Sequence, residues 1–202
     1  TAQAQTVTEF NAAGTTVEWT VPTGVTQITI EAWGAGGAGG ATQMESGILG
    51  IPNQRPAGGG GGGAYAKSTI AVTPGEILSI TVGRGGENSN GTARDGENSS
   101  VKRDTTLVEA EGGKSVGGTN TLTGAQGGKA SNSIGDVTYS GGNGGNGEIG
   151  SFAGAHSASG GGGGDAGNHG NGYNGGNGVS GSSGSAGAAG SGKLQRTGEG
   201  LY

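Results

Sequence analysis

The stretch NGYNGGNGVSGSSGSAGAAG, residues 171–190, places glycine at positions 172, 175, 178, 181, 184, 187 and 190. Glycine loses more conformational freedom on folding than any other residue, so a strict beat of three needs a physical reason. A flexible linker has no cause to keep phase. An extended left-handed helix with three residues per turn does, because its N–H and C=O groups point sideways and must find partners on neighbouring chains. Where two such backbones touch, a Cβ would hold them apart. The beat therefore predicts a packed polyglycine element with Gly172, Gly175, Gly178, Gly181, Gly184, Gly187 and Gly190 as structural glycines. Run straight, 172–190 would span roughly 56 Å at ~3.1 Å per residue.

The same logic sorts the other glycine bursts. Collagen packing is excluded, since residues 57–202 hold a single proline, Pro74. The all-glycine runs 58–63 and 160–164 suit the centre of a bundle, touched on every side. GGNGGNG (141–147) suits a chain with one exposed edge, and 178–190, with one glycine in three, suits the periphery.

Strand signals lie in the first 140 residues. TTVEWTV (15–21) alternates with Val17, Trp19 and Val21 on one face, and TQITIEAW (26–33) does so with Ile28, Ile30 and Ala32. PTG (22–24) between them reads as a turn, which predicts a hairpin or meander. AYAKSTIAV (64–72) and EILSITV (76–82) flank TPG (73–75) in the same way. SSVKRDTTLVEA (99–110) and DVTYS (136–140) are weaker strands. No segment shows a helical apolar stripe, so the chain reads as all-β.

Composition narrows the function. The chain has 202 residues, 54 of them glycine, and only 28 are Leu, Ile, Val or Phe. That balance leans towards low complexity, but the net charge of −5 is too small to hold the chain open by self-repulsion. The acidic balance argues against nucleic acid, and the scattered Lys and Arg offer no basic run for anionic lipid. No apolar segment approaches the ~20 residues of a membrane span. Absent cysteine removes disulfides, zinc–thiolate sites and thiol nucleophiles. The first residue, Thr1, fits either a mature form after leader cleavage or a chain that merely lost its Met; an extracellular location is the expectation.

VEWTVPTGVTQITIEAWGAGGAGG, followed by GGGGGGAYAKSTIAVTPGEILSITVGRGG and GENSSVKRDTTLVEAEGG (96–113), resembles the glycine-rich β domain of phage tail-fibre and bacterial surface proteins. A similar grammar occurs in the glycine-rich ectodomain of the anaplastic lymphoma kinase receptor. The resemblance is good over 15–113 and compositional beyond. It implies a jelly-roll, TNF-like β-sandwich carrying a bundle of polyglycine helices, and it is weak for function because such domains serve fibres, tips and receptors alike. The expected organisation is an N-terminal arm (1–14), a sandwich with inserted glycine runs (15–140) and a polyglycine region (141–202) packed on the same domain. MESGILGIPNQRPA (44–57) is longer and more apolar than a plain glycine link. Its Ile48, Leu49 and Ile51 either lid the sandwich or meet a neighbouring subunit.

Motifs for chemistry are mostly absent. GAAGSGKL (187–194) nearly spells a phosphate-cradling loop, but Leu194 replaces the hydroxyl residue and no strand precedes it. GGGGGD (160–165) opens like a calcium nonapeptide, yet Gly167 replaces the apolar residue and nothing repeats. Asp165 and the Asp95–Glu97 loop are where calcium would be sought. No cofactor, metal or catalytic residue is expected. His156 and His169 show no triad spacing. They either lie in exposed loops or, with Phe152 and Tyr173, form an aromatic surface for a cell-surface glycan or outer-membrane receptor.

The expected function is a non-catalytic structural subunit of a homo-oligomeric extracellular fibre, its main partner a second copy of itself. QTVTEF (5–10) is β-prone, and Val7 and Phe10, with the 47–51 loop, are candidate subunit contacts. The alternative is a receptor-binding tip of a fibre. An ice-binding protein is a remote third, lacking long threonine rows.

Overall fold

Alternating apolar residues and turn glycines divide the first half of the chain into short strands. The computed structural model describes residues 6–46, 52–150 and 156–192. The strands are β1 (Thr15–Thr20), β2 (Gln27–Trp33), β3 (Met44–Ser46), β4 (Pro52–Gln54), β5 (Tyr65–Ala71), β6 (Ile77–Val82), β7 (Glu87–Ser89), β8 (Thr92–Arg94), β9 (Ser99–Lys102), β10 (Thr106–Ala110) and β11 (Val137–Tyr139). The helix among the described residues is one 3-10 turn, Ala130–Asn132.

Two antiparallel sheets, ordered β1-β6-β9-β10 and β11-β5-β2, make a sandwich-like body, with β3-β4 and β7-β8 as separate hairpins. Ile30, Ala32 and Ala66 of one sheet and Leu78, Ile80, Val101, Val108 and Ala110 of the other share one buried cluster. Trp19, Ile28 and Ile70 pack against it half-buried. Burying each large aliphatic side chain contributes about 1.5–3 kcal/mol.

The hairpin expectation fails. Strand β1 pairs with β6, Thr15 opposite Val82, while β2 pairs with β5, Gln27 opposite Ala71. The PTG and TPG turns do form, with Gly24 at φ 83° and Gly75 at φ 84°. Each passes the chain from one sheet to the other instead of folding it back on its neighbour. Val21, beside the first turn, is 1% exposed: burying it at the junction of the sheets favours the crossing.

After β2 and β10, and before β5, the chain runs in glycine segments, and the hydrogen bonding changes period from two to three. Gly58–Gly63 is buried throughout. Carbonyls 57, 60 and 63 accept from Gly160, Gly163 and Ala166, and carbonyls 58, 61 and 64 from Gly40, Gly37 and Gly34. Carbonyls 59 and 62 accept from Ala125 and Gly128. The N–H groups of Gly59 and Gly62 donate to Gly145 and Gly142, those of Gly61 and Ala64 to Lys114 and Glu111. The central segment is thus bonded to 34–40, 111–114, 125–128, 142–145 and 160–166. A Cβ at Gly59, Gly61 or Gly62 would sit 2.0–2.2 Å from a neighbouring carbonyl oxygen.

The run 171–190 is not one straight element. Residues 171–178 run along the core, the chain turns where Val179 bridges Ser185, and 185–191 returns antiparallel. Five of the seven glycines in phase, Gly172, Gly175, Gly178, Gly187 and Gly190, would each place a Cβ within 2.2 Å of a backbone oxygen. Gly181 has nothing within 4 Å, and Gly184, at φ +39°, lies in the turn against His156. The run 160–164 lies nearer the surface than its composition suggested: Gly161 and Gly164 are buried, the other three partly exposed.

Candidate functional site

The N-terminal arm ends on the body. Phe10 packs half-buried against the core cluster, so part of its ring serves its own fold. Residues 6–9 are exposed, Val7 at 58%, and carry no strand assignment.

Among the described residues, β2 and β1 are outer strands with a partner on one side alone. Val72 donates to Thr26 O at 3.0 Å and Gly34 to Ala64 O at 2.9 Å. With the β2–β5 register, antiparallel alternation assigns the bonds across the pair to Ile28, Ile30 and Ala32. Gln27, Thr29, Glu31 and Trp33 therefore turn their N–H and C=O groups to the side away from β5. The Val21 bond to Glu76 O fixes β1 in the same way, leaving Thr16, Glu18 and Thr20 facing outward. The outer strand β10 is covered in part, because Glu109 exchanges two backbone bonds with Ile134.

A second concentration of surface lies at the end of the glycine core away from the sheets. Ala41 bridges Thr119, Gln43 donates to Asn120 Oδ1, and the β7–β8 hairpin reaches the same place through Gly118 and Gly91. Glu148 bridges Ala158, and His156 bridges Gly181. Ile48, Leu49, Ile51 and Phe152 lie outside the described residues.

The imidazole and aromatic candidates are not brought together. His156 is exposed at the far end, while His169 is exposed in the turn where Gly167 and Gly170 exchange backbone bonds. The extended segment 160–166 separates them, roughly 20 Å at ~3.1 Å per residue. Tyr173 is 54% exposed on the next segment, its carbonyl accepting from Gly164.

The carboxylates considered for calcium are engaged internally. Asp165 Oδ1 accepts the Gly63 N–H at 2.7 Å, Asp95 Oδ1 accepts from Ser115, and Glu97 Oε2 accepts from Arg84. Lys114 Nζ lies 3.2 Å from Asp95. Among the described residues no group of three His, Cys, Asp or Glu is placed to hold a metal ion.

Among the described residues, Trp33 Nε1 and Tyr65 Oη are two of the buried side-chain polar atoms that make no hydrogen bond. Their rings meet edge to face at 5.3 Å, and Tyr65 stacks on Tyr139 at 6.1 Å. Burial, then the nearby Glu31 carboxylate, pushes the Tyr65 hydroxyl well above the ordinary tyrosine range. Neither the asparagine rows of the glycine segments nor this aromatic trio was singled out from sequence. The rows had a legible signal, Asn-x-x-Asn in phase with glycine at 143, 146 and at 171, 174, 177.

Antiparallel sheets that run into a hydrogen-bonded glycine core define a glycine-rich β domain. The family model for the glycine-rich domain matches residues 11–201, and the chain belongs to that family. No curated protein matches the chain.

Proposed function

We propose that this protein is a non-catalytic structural subunit of a homo-oligomeric extracellular fibre, assembled by strand addition. The observation that carries the reading is that one molecule carries both an exposed, β-prone segment, residues 6–9, and a β2 edge with no partner strand among the described residues. An edge strand is a template for a further strand. Strand addition between identical subunits is head-to-tail, and it closes into a ring or continues as a filament. The edge of β2 is the better acceptor. Glu31 there is paired with Lys67 at 3.1 Å, whereas among the described residues no ion pair offsets Glu18 on the β1 edge, and the arm carries Glu9.

The architecture we infer for the subunit is a jelly-roll sandwich with a polyglycine II bundle. The three-residue bonding period supports the bundle, as does the absence of positive φ from Gly58–Gly63. Such a core is a rigid spacer that needs no disulfide. Electron microscopy of the purified protein over a concentration series tests the reading: filaments or rings that lengthen with concentration support it, and a monodisperse monomer at all concentrations refutes it.

The gathered loops favour a second reading, a receptor-binding tip, since recognition residues concentrate on loops held by a rigid scaffold. A discrete particle that binds cells without polymerising would favour it.

A further inference from the structure

Asparagines on two glycine segments form a surface that neither the arm nor the loops account for. Asn171, Asn174 and Asn177 occupy every third position of one extended segment and are exposed. Their Oδ1 atoms accept the backbone N–H groups of Ser140, Asn143 and Asn146 on the adjoining segment, each at 2.8 Å. The pattern repeats one segment further. Asn143 Oδ1 accepts from Gly127 at 3.0 Å and Asn146 Oδ1 from Gly124 at 2.9 Å, and both side chains are exposed. Each amide lies across the groove between two backbones, anchored by its oxygen.

What remains is one-sided chemistry. A primary amide carries an acceptor oxygen and an NH2 with two donors, and here the backbone engages the oxygens. These five asparagines are exposed, and among the described residues their NH2 groups make no hydrogen bond; they repeat along each segment roughly every 9 Å, three residues at ~3.1 Å. From 141 to 192 the acids are Glu148 and Asp165 and there is no Lys or Arg, so the array is rich in donors yet nearly uncharged. Tyr173, next in sequence to Asn174 and exposed, adds an apolar ring at its border.

We propose that this array binds an extended, uncharged polysaccharide containing N-acetylated sugars. The acetamido carbonyl is a strong acceptor without charge, and a regular polymer offers it repeatedly, so weak individual bonds add through multivalency. An acidic polymer is disfavoured by the net charge of −5. A second copy docked by the same face would set NH2 against NH2, leaving donors unpaired on both sides. The surface acts whether or not the arm assembles fibres.

The test uses Asn→Asp substitution, which keeps an oxygen to accept the backbone N–H but removes the donors. Calorimetry with a hexamer of N-acetylglucosamine is compared with the unacetylated glucose hexamer and with a polyuronate, for the full chain and for the Asn143→Asp/Asn174→Asp variant. Binding of the acetylated hexamer, at least about tenfold weaker for the other probes and for the variant at an unchanged melting midpoint, is the expected result. No binding by the full chain, equal binding of the unacetylated hexamer, preference for polyuronate, or undiminished binding by the variant each overturns the proposal. If the double variant fails to fold, Tyr173→Ala and Asn174→Asp, singly and at exposed positions, decide by the same comparison.

Discussion

A Cβ added to Gly61 would lie 2.0 Å from the carbonyl oxygen of Gln126. No rotamer relieves that contact, because the backbone fixes the Cβ position and the oxygen is itself backbone. Gly61 also donates to Lys114 and accepts from Gly37, so moving it strains three segments at once. Gly61→Ala should destabilise by about 3 kcal/mol or more, at or above the upper range of overpacking. Gly181→Ala, where nothing lies within 4 Å, should stay within about 0.5 kcal/mol. Thermal or denaturant midpoints read both, and equal midpoints would refute a core held by backbone contact.

That contrast shows where the sequence was legible. Strand existence followed from alternation at Trp19, Ile30 and Leu78, since period two belongs to the local chain. The pairing did not follow from PTG and TPG, because a tight turn with positive φ serves a hairpin and a sheet-crossing corner equally. What decides is burial of Val21 and the distant pairing with β6. The glycine beat marked the contact line of the last segments but not the reversal at Val179 and Ser185, where glycine stays in phase through a turn. His156 and His169 are close in sequence and far apart in space, because a segment bonded at every third residue stays extended.

Tyr65 is fully buried, and among the described residues its hydroxyl makes no hydrogen bond of normal geometry, with the Glu31 carboxylate nearby. Removing an unpaired buried hydroxyl relieves its desolvation, worth about 1–3 kcal/mol in proteins, so Tyr65→Phe should be neutral or stabilising at pH 7. The raised folded-state pKa sets the sign at high pH. Stability is intact below the unfolded tyrosine value, about 10, and is lost as pH rises above it, because unfolding releases a proton that folding retains. Tyr65→Phe should lose less stability than the parent between about pH 9 and pH 11, measured by denaturant titration. Parallel pH profiles would contradict this.

Glu76 behaves in the opposite sense. Its carboxylate accepts the Thr73 N–H at 2.9 Å and pairs with Arg103, and these hold it below the usual glutamate range, the backbone bond foremost. A depressed folded-state pKa contributes stability above the unfolded value, about 4.3, and that contribution disappears as pH falls through the folded one. Glu76→Gln should therefore lower stability at pH 7 and flatten its fall between about pH 5 and pH 3. An unchanged acid limb in the variant would show that the TPG corner does not depend on this carboxylate.

The arm provides the decisive test of assembly. Phe10 belongs to the core and must stay, so the informative deletion is residues 1–9. It should abolish polymers while leaving a folded monomer with the same circular dichroism. Thr29→Pro tests the acceptor separately. By the β2 register the Thr29 N–H points away from β5, so proline there removes a donor from the open edge without breaking the internal ladder. Each change alone should stop growth, and equimolar mixing of the two variants should give short, capped species. The deletion variant keeps an intact edge and the proline variant keeps an intact arm, so one junction between them can still form. Polymers that persist in either variant by sedimentation would place the subunit contact elsewhere, and discrete particles that still bound cells would leave the tip reading in its place.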